Sequence, residues 1–186
     1  MVQKTKQQWL EEGEKLYKLN QYLEALAAYD QAIRLDPNAA AAYADKGDVL
    51  NHLQRYQEAL EASEQALRIN PNLALAYFTK GSTLALLMRL QEALEAFEQA
   101  IRLDPNFAVV YVNKGAVLER LGLAEPNVPV RRKRFQEALE ALEQAIRLDT
   151  QNPFFYVNKS RLLTRLNRNK KAQKAYEMAR RLGYSG

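Results

Sequence analysis

The sequence predicts an all-α protein of about five helix-turn-helix units, or about ten helices. The first observation is a fixed period of 34 residues, which separates each glycine from the next in the set Gly13, Gly47, Gly81 and Gly115. The same period separates Pro37, Pro71 and Pro105. The second observation is that an aromatic residue stands four positions before each glycine, at Trp9, Tyr43, Tyr77 and Tyr111. A further copy begins at Tyr156, with Ser160 in the place of the glycine. Regularity on this scale indicates a repeated structural unit.

The third unit illustrates how one copy forms two amphipathic helices. In Ala74–Leu87 the apolar residues recur at helical spacing and Gly81 follows Tyr77 by one turn. In Gln91–Leu103 a second apolar stripe runs through Ala93, Phe97 and Ala100. A glycine inside a helix costs about 1 kcal/mol relative to alanine. Its recurrence at one place therefore predicts close packing of the two helices in a hairpin.

The end of each unit carries helix-breaking signals. In the third unit these are Asp104-Pro105-Asn106, where the proline cannot donate a backbone hydrogen bond and restricts the residue before it. Asn106 is expected to cap the helix that follows.

This order of aromatic, glycine, alanine, aromatic, alanine and proline resembles the tetratricopeptide repeat family. The resemblance covers roughly residues 6–182. It implies a right-handed superhelical solenoid in which stacked hairpins bury apolar faces that no single hairpin can bury alone. A single array over residues 1–186 is expected, with units near 6–39, 40–73, 74–107, 108–152 and 153–186.

The second and fourth units show further departures from the pattern. The second has Ser63 where its neighbours have an aromatic residue, so looser packing is expected there. In the fourth, the spacing from Ala93 to Ala138 is 45 rather than 34, which indicates an insertion of 11. This insertion falls within residues 122–134. Because it contains two prolines, it is expected to interrupt the helix and protrude from one edge.

The C-terminal end leaves the termination of the array open. Gly183 is predicted to cap the last helix. The polar face of that helix would close the stack, or the array would continue in a longer chain or against another copy, which would allow self-association through the array ends.

Composition restricts the class of protein. The chain has no cysteine and no apolar segment like that of a signal peptide near its start. It also has no apolar run approaching the length of a membrane span, about 18 residues. No membrane span is therefore predicted, and a cytoplasmic location is expected. The similarity among the units is typical of bacterial members of the resembling family.

No catalytic constellation is visible, so the chain is predicted not to be an enzyme and to need no cofactor or metal. His52 is the only histidine, and it is interpreted as a surface residue. The carboxylate pairs Glu11/Glu14 and Asp45/Asp48 are interpreted as solvated helix-surface groups, since such groups are common.

The resemblance places a concave groove along the first helix of each unit. This groove would be acidic near the N-terminus, through Glu11, Glu14, Asp45 and Asp48. From the third unit onward it would carry apolar side chains that the interhelix stripe does not need. The residues predicted to bind a peptide are Leu75, Phe78, Val109, Val112, Asn113, Phe154, Val157, Asn158 and Arg161.

Asn113 and Asn158 are singled out in this set because an amide both donates to and accepts from the backbone of a bound chain. The alternative is that both are helix-surface residues that bind water. The recurring lysines Lys46, Lys80, Lys114 and Lys159 are interpreted instead as structural, with their aliphatic stems packed along the helix.

Charge is distributed unevenly. Residues 1–118 contain 12 Lys and Arg against 15 Asp and Glu, whereas residues 119–186 contain 15 against 7. A basic patch, Arg131, Arg132, Lys133 and Arg134, lies at the start of a predicted helix and opposes its dipole. It could attract an acidic partner, RNA or an anionic surface, or serve only to keep the protein soluble. Few aromatic residues are interleaved with these cations, which disfavours nucleic acid.

The sequence therefore predicts a non-enzymatic protein-protein interaction scaffold that binds an extended or helical peptide in its concave groove. The alternative is an adaptor that binds nucleic acid or an anionic surface through the basic C-terminal third.

Overall fold

The structure is a computed structural model that describes residues 4–186. Within these residues it contains ten α-helices and no strand, which confirms the predicted all-α class. The helices are α1 (Lys6–Lys18), α2 (Tyr22–Leu35), α3 (Ala40–His52), α4 (Tyr56–Ile69), α5 (Ala74–Leu86), α6 (Leu90–Leu103), α7 (Ala108–Ala124), α8 (Val128–Leu148), α9 (Pro153–Arg165) and α10 (Asn169–Arg181).

The helices pair as consecutive hairpins, and the chain divides into two compact units. Unit 1 ends at Leu103 and contains the hairpins α1/α2, α3/α4 and α5/α6. Unit 2 runs over Asp104–Gly186 and contains α7/α8 and α9/α10.

The recurring aromatic residues occupy equivalent places. Each is the fourth residue of the first helix of its hairpin, at Trp9, Tyr43, Tyr77, Tyr111 and Tyr156. In unit 2 the Tyr111 and Tyr156 hydroxyls each donate to a backbone carbonyl six positions earlier, at 3.2 Å in both cases. The aromatic ring therefore fixes the connection that leads into its own helix.

The helix glycines allow the close packing that their recurrence predicts. A Cβ atom added at Gly13 would lie 2.7 Å from the ring of Tyr29, and one added at Gly81 would lie 2.7 Å from the ring of Phe97. Both rings are buried. A side chain at either glycine would therefore force the two helices of the hairpin apart.

Ser63 does not leave a gap in the second hairpin. It is fully buried, and its hydroxyl donates to the Leu60 carbonyl at 2.8 Å. Thr79, from the following hairpin, is also fully buried and lies 2.9 Å from the position of a Cβ on Gly47. The expected loosening is wrong because Thr79 fills the space that an aromatic ring occupies elsewhere.

The connection between hairpins is an Asx turn. Asp36, Asn70, Asp104 and Asp149 each accept, through Oδ1, a hydrogen bond of 3.0 Å from the backbone N–H two positions later. In the third of these turns, the backbone N–H of Asn106 donates to Asp104. Asn106 does not cap α7, because the N-cap residue of α7 is Phe107, which makes no side-chain capping hydrogen bond. The expected role of Asn106 is therefore wrong, because the residue before the proline carries the side-chain contact.

The insertion in the fourth unit lengthens two helices. The first and second helices of the unit 1 hairpins have 13 and 14 residues, whereas α7 has 17 and α8 has 21. The four extra positions in α7 and the seven in α8 account for all 11. The chain leaves the helix only at residues 125–127, where Asn127 caps α8 by accepting from the Val130 N–H at 3.1 Å.

The expected interruption of the helix is limited to residues 125–127, which include Pro126. The rest of the insertion is helical, so the expectation that this segment cannot continue the helix is wrong there. Pro129 lies in the first turn of α8, where its missing N–H breaks no hydrogen bond. The hairpin extension also has its own glycine contact, since a Cβ on Gly122 would lie 2.6 Å from the Phe135 ring.

The last helix ends as the sequence predicts. Gly183 has φ +97°, and the Tyr184 N–H donates to the Ala179 carbonyl at 3.0 Å. This is a Schellman motif, in which a residue in the left-handed region closes the helix.

Candidate functional site

The first helices of unit 1 form an acidic pocket. Glu11 and Glu14 on α1 face Asp45 and Asp48 on α3, and Leu10, Tyr17 and Tyr29 complete much of the lining of a cavity of about 460 Å³. Burial, reinforced by the charges of Asp48 and Glu14, raises the pKa of Asp45 to about 6. Burial is also the main reason that the pKa values of Tyr17 and Tyr29 lie above their usual range. The acidic side chains expected at this end are therefore brought together.

His52 belongs to an aromatic cluster beside this pocket. Its ring stacks on Tyr22, with centroids 4.5 Å apart and planes inclined by 7°. Its Nε2 atom lies 2.9 Å from the Tyr17 hydroxyl. His52 lies on the surface, as the sequence indicates, and its neighbours give it a packing role.

Two predicted peptide-binding residues of unit 1 contribute to packing. Leu75 is half-buried and packs against the buried cluster Ala44, Ala66 and Ala76. Phe78 is also half-buried, and its ring centroid lies 6.3 Å from that of the fully buried Phe97. The expectation that these side chains are not needed for packing is corrected, because both contact the core of unit 1.

The predicted residues of unit 2 differ in exposure. Phe154 on α9 is 62% exposed and Val109 on α7 is 38% exposed. The remaining apolar and amide members of the set are half-buried, namely Val112, Asn113, Val157 and Asn158. The exposed ring of Phe154 is therefore the largest apolar surface that this set offers.

The C-terminal tail lies against Phe154. The centroids of the Phe154 and Tyr184 rings are 5.9 Å apart at an interplanar angle of 80°, and Tyr184 makes a similar contact with Tyr176 at 6.0 Å. One edge of the predicted anchor is therefore already in contact with the protein itself.

Arg161 is held by an internal ion pair. Its Nη2 atom donates to Glu119 Oε2 at 2.9 Å, and Arg165 Nε donates to Oε1 of the same carboxylate at 2.6 Å. The Glu119 side chain is 7% exposed, whereas that of Arg161 is 49% exposed. Part of the hydrogen-bonding capacity assigned to a peptide is therefore used within unit 2.

The basic patch lies in the α8 extension. It begins at the fourth residue of α8, so the first turn carries no charge and the opposition to the helix dipole is smaller than the sequence suggests. Arg134 pairs with Glu137 at 3.2 Å, whereas Arg132 and Lys133 are exposed.

The recurring lysines form ion pairs as well as packing along the helix. Lys46 pairs with Asp30, Lys80 with Glu64 and Lys159 with Glu143, at 2.7, 3.0 and 2.8 Å. Each acidic partner stands 16 positions before its lysine and lies on the second helix of the preceding hairpin. These lysines therefore connect neighbouring hairpins.

Residues 4–186 carry neither of two other kinds of site. No group of three or more histidine or acidic side chains there is arranged to hold a metal ion. None of the helices in the same range combines the length and apolar character that crossing a bilayer requires.

Two family models described as tetratricopeptide repeat match most of the chain. One matches residues 10–74 and 130–185, and the other matches residues 74–107. The chain belongs to the tetratricopeptide repeat family. No curated protein matches it.

Solved structures share this tetratricopeptide repeat fold at low sequence identity. Pseudomonas aeruginosa pilF superposes with a TM-score of 0.82 at 21% identity, over 97% of this chain and 78% of that one. TTC0263 of Thermus thermophilus superposes with a TM-score of 0.80 at 22% identity, over 96% of this chain and 92% of that one. YrrB is described as a tetratricopeptide repeat protein with an unusual peptide-binding site. It superposes with a TM-score of 0.64 at 24% identity, over 94% of this chain and 84% of that one. These likenesses show the fold.

Sequence reasoning missed three features of this tetratricopeptide repeat protein. Glu119 carries a charge where the first three units have the uncharged residues Tyr17, Asn51 and Ala85, so the sequence contained a signal for it. The acidic residue 16 positions before each lysine was also visible. The Tyr184 contact had no sequence signal, because the path of a short tail depends on the surface beside it.

Proposed function

We propose that the protein is a non-enzymatic interaction scaffold that binds an extended or helical peptide along the first helices of its hairpins. The observation that carries this proposal is the surface of α9, where the exposed Phe154 ring lies one helical turn before the Asn158 amide. Residues four apart share one face of a helix. An apolar anchor and a backbone-binding amide are therefore presented together.

The chemistry of this pair suits a peptide. Among residues 4–186 the Asn158 amide has no hydrogen-bond partner, so it is able to donate and accept at the same time. A buried aromatic side chain is the kind of anchor that contributes most binding energy in protein interfaces. Val157 adds a half-buried apolar neighbour on the same helix.

Arg161 extends the surface by one further turn. The Glu119 carboxylate fixes its guanidinium in one orientation, while about half of its side chain remains exposed. A positioned arginine loses less conformational entropy on binding than a free one. In this proposal it contacts the peptide while still paired with Glu119.

The test is a peptide-display selection with the full chain as target, followed by affinity measurement by fluorescence anisotropy. The double variant Phe154→Ala/Asn158→Ala is expected to bind the selected peptides about 10-fold more weakly or worse, since both groups would lie at the centre of the interface. The matched control is Met178→Ala/Gln173→Ala, which alters one exposed apolar and one amide side chain on α10 of the same unit.

The proposal requires a difference between these two variants. Equal affinity of the Phe154/Asn158 variant and the unmodified protein for every selected peptide would overturn the assignment. Affinity that falls steeply with salt and follows the number of phosphates on a nucleic acid would instead favour the adaptor alternative.

A further inference from the structure

A groove lies where the extended start of α8 meets the turn between α9 and α10. Its volume is about 530 Å³, and it is open to solvent. Its apolar lining consists of Val128, Pro129 and Leu166. Its basic lining consists of Arg132, Lys133 and Arg168, beside Gln136. The groove exists only because the insertion lengthens α8 at its N-terminal end.

The fold separates the basic patch into two parts. Arg134 is paired with Glu137, and its Cβ lies 3.2 Å from the position of a Cβ on Gly122, so it belongs to the packing of the hairpin extension. Lys133 has only a distant contact with Glu137 at 3.9 Å, and its side chain is 78% exposed. Arg132 has no carboxylate partner among residues 4–186. The two α8 cations that line the groove, Arg132 and Lys133, are therefore available to a ligand.

Arg168 adds a third cation from a different element. It occupies the N-cap position of α10, and its side chain makes no capping hydrogen bond. It too has no carboxylate partner within the described part of the chain. Three cations from α8 and the α9–α10 turn thus surround one apolar concavity.

We propose that this groove binds an acidic segment of a partner protein. Two or more carboxylates of the segment would accept hydrogen bonds from Arg132, Lys133 and Arg168. An apolar side chain of the segment would pack on Val128 and Leu166. Guanidinium groups bind carboxylates in a bidentate manner, and a concave site with apolar walls and a few polar groups is the usual form of a specific ligand site.

Other anionic ligands fit the groove less well. None of the described residues that line it is aromatic, whereas proteins that bind single-stranded nucleic acid stack bases on aromatic rings. Its cations surround a cavity, whereas helices that lie on a membrane present cations along one polar face. Carboxylates on a narrow polypeptide match both the shape and the charge.

The experiment uses the full chain and a fluorescein-labelled peptide with two leucines among six glutamates. Anisotropy is expected to show saturable binding. The groove variant Arg132→Glu/Arg168→Glu is expected to weaken it by about 10-fold or more, since charge-assisted hydrogen bonds are replaced by repulsion. The control Lys15→Glu/Lys174→Glu changes the net charge equally at exposed positions outside the groove and is expected to change affinity by less than about threefold.

Three further measurements complete the test. A peptide with glutamine in place of glutamate is expected to bind at least about 10-fold more weakly. Binding to phosphatidylserine vesicles and to polyuridine RNA is also measured, and the groove variant is expected to lose no more of this binding than the control variant does. Circular dichroism checks folding, and if the reversal variant unfolds, the neutral Arg132→Gln/Arg168→Gln variant replaces it.

The proposal is overturned if the acidic and glutamine peptides bind equally, or if the groove and control variants weaken binding equally. Groove-dependent binding of vesicles or RNA without binding of the acidic peptide also overturns it. This site uses none of the residues of the peptide surface on α9, so either proposal can fail without the other.

Discussion

Glu119 and Arg161 form a bidentate ion pair that joins α7 to α9. Arg161 donates to the two carboxylate oxygens through Nε at 3.1 Å and Nη2 at 2.9 Å. Arg165 adds a further donor at 2.6 Å, and its guanidinium lies 6.0 Å from the centroid of the Phe135 ring. A buried carboxylate thus has its charge compensated by two arginines that remain partly exposed.

The first prediction concerns this pair. A double-mutant cycle of Glu119→Ala and Arg161→Ala is expected to give a coupling free energy of about 1–3 kcal/mol, which is less than the cost of breaking a fully buried pair, since Arg161 is half exposed. Urea unfolding measures it. The pair of Glu143 and Lys159, whose carboxylate side chain is 38% exposed against 7% for Glu119, is the control, with about 0.2–1 kcal/mol expected. Equal coupling in the two cycles would contradict the special role of Glu119.

The second prediction concerns the hairpin extension. Gly122→Ala is expected to destabilise the protein by about 1–3 kcal/mol, because the new methyl group would overlap the Phe135 ring. Thermal and urea unfolding measure the change. Adding Phe135→Leu to Gly122→Ala is expected to cost less than the sum of the two single changes. Strict additivity would show that this contact does not define the extension.

The third prediction uses residues in the left-handed backbone region. Asn20, Gln54, Met88 and Asn167 have φ between 57° and 63°, and each follows the first helix of a hairpin. Gln54→Gly is expected to stabilise the protein by about 0.5–1 kcal/mol, because glycine adopts this conformation without the steric cost of a Cβ.

The control for this change is Gln57→Gly, at an exposed position in the first turn of α4, which is expected to lower stability by up to about 1 kcal/mol. Chemical unfolding of both variants provides the measurement. A loss of stability in Gln54→Gly comparable to that of the control would show that the left-handed position carries no strain.

The fourth prediction concerns pH. Because the pKa of Asp45 is about 6 in the folded protein and lower when unfolded, the folded state binds more protons between these values. Stability from this group is therefore greatest at low pH and is lost as pH rises from about 4 to 6. The Asp45→Asn variant does not lose this stability, because its amide does not ionise. Its free energy of unfolding should therefore exceed that of the unmodified protein by about zero at pH 4 and by about 1 kcal/mol at pH 7, after allowance for solvent screening.

Urea unfolding of the two proteins at several pH values measures this difference, and comparing them cancels the contribution of carboxylates that do not interact with Asp45. Asp149→Asn, outside the acidic pocket, serves as the control for the effect of an Asp→Asn change itself. A benefit of Asp45→Asn that did not change with pH would contradict the raised pKa.

The repeat pattern was sufficient to predict the helices. The recurring aromatic residues each stand at the fourth residue of a helix, namely Trp9, Tyr43, Tyr77, Tyr111 and Tyr156. The reason is that the aromatic, glycine and proline positions are local constraints repeated at one period.

The peptide-binding site was predicted less completely than the helices. Leu75 and Phe78 match the spacing of an exposed surface, yet they pack against residues far away in the sequence. Whether Phe154, Val109 and Asn158 bind a peptide stays a prediction.

The family, the hairpin order and the place of the insertion follow from residue types at fixed separations along the chain, so they could be predicted before any coordinates were known. Three other outcomes required the folded molecule: the insertion lengthens α7 and α8, Glu119 engages Arg161, and Arg132 and Arg168 border one groove. These outcomes depend on which side chains meet across neighbouring helices. Packing distance and burial set those contacts, and a one-dimensional pattern does not contain them.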